Sequence, residues 1–319
     1  MKTLGIVVPC FNEEEVLPMT VEQLSGLIDG MILNKKISSD SYILFIDDGS
    51  SDRTWAMIEE YNKTFKYIQG LKLAKNVGHQ NALFAGLITA SKSSDMIVSI
   101  DADLQDDIKV IEKMVDEYYN GFDIVYGVRD KRETDTFLKR NTALAFYKFM
   151  DIMGAKTIYN HADFRLMSKR AVEHLDTFEE RNLFLRGMIP LIGYKTTTVY
   201  YNRSARLAGE SKYSPKKMIA LALDGITSFS VKPMVLIFEI GVVLFLISIL
   251  ASLYALGSFF FGVVVPGWTS LMLSVWFIGS LILISLGIIG QYVGKIYTEV
   301  KRRPRYNIEE YLDNNKRQE

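Results

Sequence analysis

The sequence of 319 residues predicts an α/β domain, with a mostly parallel twisted sheet and helices on both faces, followed by two membrane-spanning helices. Three observations predict this class. Short apolar runs alternate with longer amphipathic runs between residues 4 and 127. A polar cluster follows each of the first four apolar runs. Between Met234 and Val293, Glu239 is the only charged residue.

The apolar runs in the first part of the chain predict strands, and the amphipathic runs between them predict helices. Because the hydrophobicity of the apolar runs is nearly unbroken, they fit parallel strands that are covered on both faces. Such alternation is typical of a doubly wound sheet, in which ligands bind beyond the carboxyl ends of the strands. The predicted strands are 4–9, 42–47, 67–73, 96–101 and 123–127, and the predicted helices are 14–28, 52–62, 80–92 and 108–120.

The polar clusters after the first four strands are PCFNEEE, DDGSSD, AKNVGHQN and DADLQDD. Since they all lie at the carboxyl ends of parallel strands, we expect them to line one crevice. The alternative is that these residues only form turns and helix caps, as Ser50, Ser51 and Asp52 can do before the second helix.

Absent motifs narrow what this crevice can bind. The sequence has neither GxGxxG nor GxxxxGK(S/T), so it supports neither a Rossmann dinucleotide site nor a P-loop. Its three histidines lack zinc-ligand spacing, and the single Cys10 excludes a thiolate site and an internal disulfide. The carboxylates of residues 101–107 remain. Such oxygen ligands suit Mg²⁺ or Mn²⁺ that also holds phosphate oxygens, so a divalent cation bridging to a diphosphate is their predicted partner.

The apolar stretches at 234–256 and 269–293 are each long enough to cross a bilayer, which takes about 20 residues. The alternative, two buried helices of a soluble core, is disfavoured by their length and lack of charge. Both flanks, 203–217 and 295–305, are rich in Lys and Arg, which stay on the cytoplasmic side. The sequence therefore predicts a multi-pass membrane hairpin with both termini in the cytoplasm. No signal peptide is expected, because the chain starts with the strand-like LGIVVP.

Two further features concern the membrane. Residues 214–230 predict an amphipathic interfacial helix, whose Lys216 and Lys217 would lie near anionic headgroups. Gly290 and Gly294 form a GxxxG spacing in the second apolar stretch, a helix-packing signal compatible with a homo-oligomer.

Six motifs occur in a fixed order: VVPCFNEEE, FIDDGSSDRT, KNVGHQNAL, DADLQDD, ADFRLMS and RLAGESKYSPKKM. Followed by two apolar stretches, they resemble the polyisoprenyl-phosphate glycosyltransferases of glycosyltransferase family 2. That group includes dolichyl-phosphate mannose synthase and bacterial undecaprenyl-phosphate sugar transferases, and the resemblance covers nearly the whole chain. It implies a GT-A fold, a nucleotide-sugar donor, a polyisoprenyl-phosphate acceptor and a Mg²⁺ or Mn²⁺ cofactor in a bacterial cell (inner or plasma) membrane. No nucleic-acid partner is expected.

The resemblance also implies roles for individual residues. Asp103, paired with Asp101, matches the metal-binding D-x-D motif, and Asp163 matches the proposed catalytic aspartate. His79 lies in the same motif as Lys75 and Asn76. The nucleotide-sugar-binding positions are Pro9, Phe11, Glu13, Asp47, Asp48, Lys75, Asn76, Asp101, Ala102, Asp103, Gln105 and Arg129, and the lipid-phosphate-binding positions are Arg203, Arg206 and Lys212.

The resemblance predicts an inverting transfer of a sugar, with UDP-glucose as the first expected donor and UDP-N-acetylglucosamine as the next. A phosphate acceptor with a second pKa of about 6 is mostly dianionic near pH 7, so it needs no strong base. Asp163 would then orient the acceptor or stabilise positive charge on the sugar, while Arg206 and Lys212 offset repulsion between the two anionic substrates. The alternative for this basic pair is surface solubility or headgroup binding.

Two other functions stay open at the level of sequence. A processive polysaccharide synthase would share the fold, but its usual Q-x-x-R-W motif is missing, since no tryptophan follows an arginine. The other is a non-catalytic, nucleotide-sugar-binding membrane scaffold. The predicted organisation is a cytoplasmic GT-A catalytic domain at 1–213, the interfacial helix at 214–230, the transmembrane pair within 231–294 and a basic cytoplasmic tail at 295–319.

Overall fold

The computed structural model describes residues 1–129, 161–201, 232–260 and 267–313. These residues divide into two compact units. One consists of residues 1–129, 161–201 and 303–313, and the other of residues 232–260 and 267–302. The first unit contains the predicted α/β domain, and the second contains most of the two apolar stretches.

Eight strands of the first unit form one mixed sheet with the order β7-β5-β6-β4-β1-β2-β3-β8. The pairs within β4-β1-β2-β3 are parallel, as is β5-β7. Strand β6 is antiparallel to both neighbours, and β8 is antiparallel to β3. The strands are β1 (Leu4–Cys10), β2 (Tyr42–Asp47), β3 (Ile68–Leu73), β4 (Met96–Ser99), β5 (Ile124–Arg129), β6 (His161–Ser168), β7 (Thr196–Tyr201) and β8 (Ile308–Leu312).

The first four helices connect the first five strands, which confirms the predicted alternation. They are α1 (Leu17–Leu33), α2 (Thr54–Thr64), α3 (His79–Ser91) and α4 (Val110–Tyr119). Helix α3 packs unusually close to the sheet, because a Cβ added at Gly86 would lie 2.6 Å from side-chain atoms of both Ile46 and Val7. This packing fixes the N-terminus of α3 beside the carboxyl ends of β1 and β2. Helices α5 (Lys169–Asp176) and α6 (Leu185–Met188) lie between β6 and β7.

The three strands that the sequence did not predict lack long apolar runs. Strand β6 carries the buried polar pair Asp163 and Arg165. Strand β7 is rich in threonine and alternates exposed and half-buried side chains until the buried Tyr201. Strand β8, with the sequence IEEYL, lies at an edge of the sheet and is mostly exposed. The sheet is thus dominated by parallel pairs but mixed.

Strand β8 belongs to residues 295–319, for which the sequence analysis predicted only a basic tail. Its approach to β3 begins with a hydrogen bond from the Ala74 amide to the Asn307 carbonyl at 2.9 Å. Just before it, the Arg305 guanidinium donates to the carbonyls of Phe178 and Glu180 and lies 4.6 Å from the ring centre of Phe84. Part of the segment predicted as a basic tail therefore forms a strand of the sheet.

The second unit consists of two long helices that contact each other, α7 (Lys232–Phe260) and α8 (Trp268–Val300). Within the described residues, one segment, Phe277–Val300, is long and apolar enough to cross a membrane, with 24 residues and a mean hydropathy of 1.8. The predicted two-helix transmembrane hairpin is therefore not confirmed. The predicted interfacial helix at 214–230 lies outside the described residues.

Candidate functional site

The loops that follow β1 and β2 are joined by hydrogen bonds. The Asn12 amide donates to the Ser50 hydroxyl at 3.0 Å, and the Ser51 amide donates to the Asn12 side-chain oxygen at 2.8 Å. Asn12 adopts a left-handed conformation with φ of 54°, which asparagine tolerates better than most residues. These bonds hold the two polar clusters of the predicted crevice side by side.

Asp48 joins the second loop to the third. Its Oδ1 accepts from the Val77 amide at 2.7 Å and its Oδ2 from the Gly78 amide at 3.0 Å. Burial raises the pKa of Asp48, and these two amides partly oppose the shift. The neighbouring Asp47 is completely buried, which likewise raises its pKa, and it accepts from the Ser50 amide. Both aspartates thus hold the loops of the crevice in place.

Gly49 permits a close approach between these two loops. Its φ of +68° is in the left-handed region, and a Cβ there would lie 2.6 Å from the Asn76 backbone nitrogen. A side chain would therefore collide with backbone atoms that cannot rotate away. The other residues predicted to contact the nucleotide line the same edge: Pro9 and Glu13 are half-buried, whereas Phe11, Lys75 and Asn76 are exposed.

The D-x-D segment lies at the carboxyl end of β4. Asp101 and Asp103 are half-buried, whereas Ala102 between them is buried. The Ala102 carbonyl accepts from the Thr20 hydroxyl at 2.7 Å, which ties this segment to α1. Asp103 accepts from the amide of the buried Gln105 at 3.3 Å. The D-x-D backbone is therefore fixed while both of its carboxylates keep some exposure.

The charges around Asp101 fit a cation. The pKa of Asp101 is raised, and burial is the largest cause. The nearby carboxylates of Asp163, Asp106 and Asp103 also raise this pKa, whereas His79 lowers it. Among the described residues, no group of three or more His, Cys, Asp or Glu could by itself hold a metal. Mg²⁺ is usually held by one or two carboxylates together with substrate phosphates and waters, so an Asp101–Asp103 pair fits it.

Asp163 is the centre of a cluster of positive groups. Its Oδ1 accepts from Arg165 and from Arg186 Nε at 3.2 Å, and its Oδ2 accepts from Arg186 Nη2 at 2.9 Å. His79 Nε2 lies 3.6 Å from the same Oδ2 and 3.7 Å from Asp101. The side chain of His79 therefore bridges the D-x-D motif and the predicted catalytic aspartate.

This cluster controls ionisation. Burial alone would raise the pKa of Asp163, but His79, Arg165 and Arg186 together hold it well below the ordinary value of 3.8. Desolvation similarly would lower the pKa of His79, but the two aspartates outweigh it and raise that pKa. Asp163 is thus an anion throughout the physiological range, which makes it a weak proton acceptor and a good electrostatic partner.

Arg129, predicted to contact the donor, is half-buried and forms a polar group with two buried residues. Its guanidinium donates to Asp106 at 3.1 Å, and the Tyr201 hydroxyl donates to the same carboxylate oxygen at 2.5 Å. Burial and the Asp106 charge raise the pKa of Tyr201. Arg129 therefore links the end of β5 to the D-x-D loop and to the end of β7.

The predicted lipid-phosphate residues Arg203, Arg206 and Lys212 lie outside the described residues. Sequence analysis gave no role to Arg165 or Arg186. Arg165 had a readable signal, because residues two apart on a strand share a face and Asp163 is its neighbour in ADFRL. Arg186 follows no motif, and its proximity to Asp163 arises from the tertiary fold.

The chain resembles a known family and several known proteins. The Glycosyl transferase family 2 model matches residues 5–176. The glycosyltransferase YkoT of Bacillus subtilis is 53% identical, with 96% of this chain and 91% of YkoT covered. The bactoprenol glucosyl transferase of Shigella phage SfII is 40% identical over 96% of this chain and 97% of its own. The glucosyl-3-phosphoglycerate synthase of Mycobacterium tuberculosis, in complex with Mn²⁺, UDP and glucosyl-3-phosphoglycerate, has a TM-score of 0.45 at 17% identity, covering 71% of this chain and 78% of that one.

Replacing Gly49 with alanine should destabilise the first unit. The left-handed conformation and the collision with the Asn76 nitrogen together should lower the free energy of unfolding by about 2 kcal/mol or more. The measurement is thermal and denaturant unfolding of the full chain in detergent. Gly26→Ala is the matched control, because nothing lies within 4 Å of that helical position and alanine should stabilise it by about 0.5–1 kcal/mol. Equal unfolding midpoints for the two variants would contradict the prediction.

Proposed function

We propose that this chain, which belongs to glycosyl transferase family 2 and is a glycosyltransferase, transfers glucose from a nucleotide-sugar to polyisoprenyl phosphate at a membrane. The observation that carries the proposal is the ionised, buried Asp163 joined through His79 to the D-x-D residue Asp101. A fixed anion beside a diphosphate site suits displacement at a sugar carbon that gains positive charge. Relatives named bactoprenol glucosyl transferases, about 40% identical over almost the whole chain, support this acceptor and glucose as the sugar.

The donor is proposed to bind along the interlocked loops, with UDP-glucose ranked first and UDP-N-acetylglucosamine second. Phe11, Lys75 and Asn76 are exposed there and can contact the nucleotide. The buried Asp47 and Asp48 accept hydrogen bonds from backbone amides of these loops, and both carboxylate oxygens of Asp48 are bonded in this way. Base recognition by either aspartate would therefore require donor groups to share oxygens that already hold the loop.

Asp103 and Asp101 are the proposed ligands of Mg²⁺ or Mn²⁺. A divalent cation bound there would supply stabilisation of the charge that gathers on the diphosphate leaving group. The half-buried carboxylates of the pair, and the other aspartates around Asp101, favour a cation electrostatically. Asp106 is not among the proposed ligands, because Arg129 and Tyr201 both donate to its Oδ1.

Asp163 is proposed to stabilise positive charge on the sugar or to orient the acceptor. A phosphate oxygen of the acceptor attacks the anomeric carbon, the bond to the diphosphate breaks, and this single displacement inverts the configuration. Because the acceptor is mostly a dianion near pH 7, no proton needs to be removed. The depressed pKa of Asp163 agrees with this assignment, since a strongly stabilised carboxylate is a poor base.

Two features support a membrane setting for this reaction. Segment Phe277–Val300 meets the length and composition of a membrane span, and Lys and Arg are concentrated at 203–217 and 295–305. We propose that α7 and α8 form the hairpin, that 214–230 lies at the interface, and that Arg203, Arg206 and Lys212 bind the lipid phosphate near the cytoplasmic surface. The catalytic domain at 1–213 would then face the cytoplasm.

The test is sugar transfer by the full chain in liposomes that contain undecaprenyl phosphate. With labelled UDP-glucose, we expect one equivalent of labelled lipid for each UDP released, and no labelled lipid when undecaprenol replaces its phosphate. UDP-N-acetylglucosamine in place of UDP-glucose decides the donor. A long water-insoluble polymer would indicate a processive synthase, and donor binding without turnover would indicate a scaffold; either result overturns the proposal.

Activity should require a divalent cation through Asp103. Asp103→Ala should keep the fold and lose at least about two decades of the turnover rate, since charge stabilisation of this kind is worth several kcal/mol. Asp107→Ala is the matched control, because Asp107 lies in the same loop outside the Asp101–Asp103 pair and, among the described residues, its carboxylate accepts from the Lys109 amide at 3.0 Å. Full wild-type activity in excess chelator would contradict the metal assignment.

The pH dependence should follow the acceptor rather than Asp163. The pKa of Asp163 is held well below 3.8. This carboxylate therefore stays ionised at every pH above about 5, and its protonation would affect activity only below that range. Activity should instead fall below about pH 6 as the acceptor phosphate becomes a monoanion. Asp163→Asn should reduce the maximal rate and keep the same acidic limb. Disappearance of that limb in the variant would identify Asp163 as the titrating base.

The C-terminus should be cytoplasmic. Reporter fusions after residue 319 should show cytoplasmic activity, because both basic flanks stay on that side. A fusion within 257–267, between the two apolar stretches, is the control and should report the opposite side. A C-terminal reporter that is active only outside the cytoplasm would overturn the hairpin topology.

A further inference from the structure

Positive side chains of the described residues surround the carboxylate of Asp163. Arg165 and Arg186 Nε share its Oδ1, while Arg186 Nη2 and His79 face its Oδ2. A carboxylate has about four lone-pair sites. Three hydrogen bonds from the two arginines occupy most of them, and His79 lies 3.6 Å from Oδ2. A sugar or an acceptor therefore gains direct access to Asp163 when one of these partners moves.

The positive partners differ in their freedom to move. The side chain of Arg165 is 1% exposed and lies on β6 two residues from Asp163. Its departure from Asp163 would leave its own charge buried without a partner, which is costly. The side chain of Arg186 is 39% exposed and comes from α6, a helix of only four residues. Arg186 is the arginine that can exchange its partner for an incoming anion.

A hydrogen bond to α3 fixes the backbone beside Arg186. The amide of Leu185, the residue before it, donates to the Gln80 side-chain oxygen at 3.1 Å. Gln80 follows His79 at the start of α3, so one helix terminus positions both His79 and Arg186. The backbone next to Arg186 is thereby anchored, while its guanidinium contacts Asp163.

We propose that Arg186 binds the phosphate of the lipid acceptor by exchanging its bidentate contact with Asp163 for one with the phosphate. This inference rests on the proposed function. A phosphate dianion carries more charge than a carboxylate and matches a guanidinium bidentately. The exchange brings the nucleophile beside Asp163 and opens Asp163 toward the sugar only when acceptor is present, with Arg165 holding the carboxylate in place.

The first test compares two arginines that make the same kind of bidentate pair. Arg186→Gln should raise the KM for undecaprenyl phosphate about 10- to 100-fold, the loss expected for a charge-assisted contact, and change the KM for the nucleotide-sugar less than about 3-fold. Arg170→Gln is the control, because Arg170 donates to Asp123 through Nε and Nη2 at the amino end of β5, whereas the candidate site lies at the carboxyl ends of the parallel strands. Its kinetics should match the wild type.

The second test measures the competition directly. Binding of a short-chain prenyl phosphate to the full chain should be several-fold tighter in Asp163→Asn than in the wild type, because the phosphate no longer displaces a carboxylate from Arg186. The gain should vanish in the double variant Asp163→Asn/Arg186→Gln. A prenyl alcohol of the same length should bind all forms equally.

The outcomes separate this inference from the function it rests on. If the wild type forms no lipid-linked sugar, the proposed function fails. If the wild type is active but Arg186→Gln weakens only donor binding, Arg186 serves the diphosphate. If the variant lowers only the maximal rate, and Asp163→Asn binds no tighter, Arg186 is a fixed clamp on Asp163. Either of the last two results overturns the exchange.

Discussion

A carboxylate buried in the sheet domain must keep positive partners close, and this requirement organises the site. Asp163 is 6% exposed and sits on β6, the strand that runs antiparallel between β4 and β5. The backbone carbonyl of Asp163 accepts from the Ser99 hydroxyl at 2.5 Å, and this bond helps to set the register of β6 against the end of β4. Removing one partner of such a buried ion pair typically costs about 3–5 kcal/mol, so the strand, α3 and α6 are held together around one charge.

The loops of the crevice obey a related constraint. They lie at the ends of parallel strands, where backbone amides have no partner from the sheet, and polar side chains supply the missing acceptors. The side chains of Asn12, Ser50 and Asp48 each accept from a backbone amide of a neighbouring loop. Such mutual bonding makes the rim rigid before any ligand arrives, which limits the ordering that binding must accomplish.

The sequence predicted the parts of the fold that depend on local pattern. Apolar runs located β1 to β5, and amphipathic runs located α1 to α4, because burial on both faces leaves a continuous hydrophobic signal. The polar clusters also predicted correctly which edge of the sheet they share. Strands β6 and β8 gave no such signal, since one buries an ion pair and the other is a short charged edge. The sequence could bring Asp163 to the site by family resemblance, yet Arg186 reaches it across 23 residues of chain through tertiary packing alone.

The place of β8 in the chain has a consequence for biosynthesis. Residues 308–312 pair with β3 but follow both long helices, α7 and α8, in the order of synthesis. Until the ribosome has made them, β3 remains an open edge of the sheet, the kind of surface that pairs with other chains. The sheet of the nascent domain therefore lacks β8 while the two helices are synthesised. Chaperones that protect exposed strand edges should matter most during that interval, and a stalled chain that ends within α8 should aggregate more readily than the finished protein.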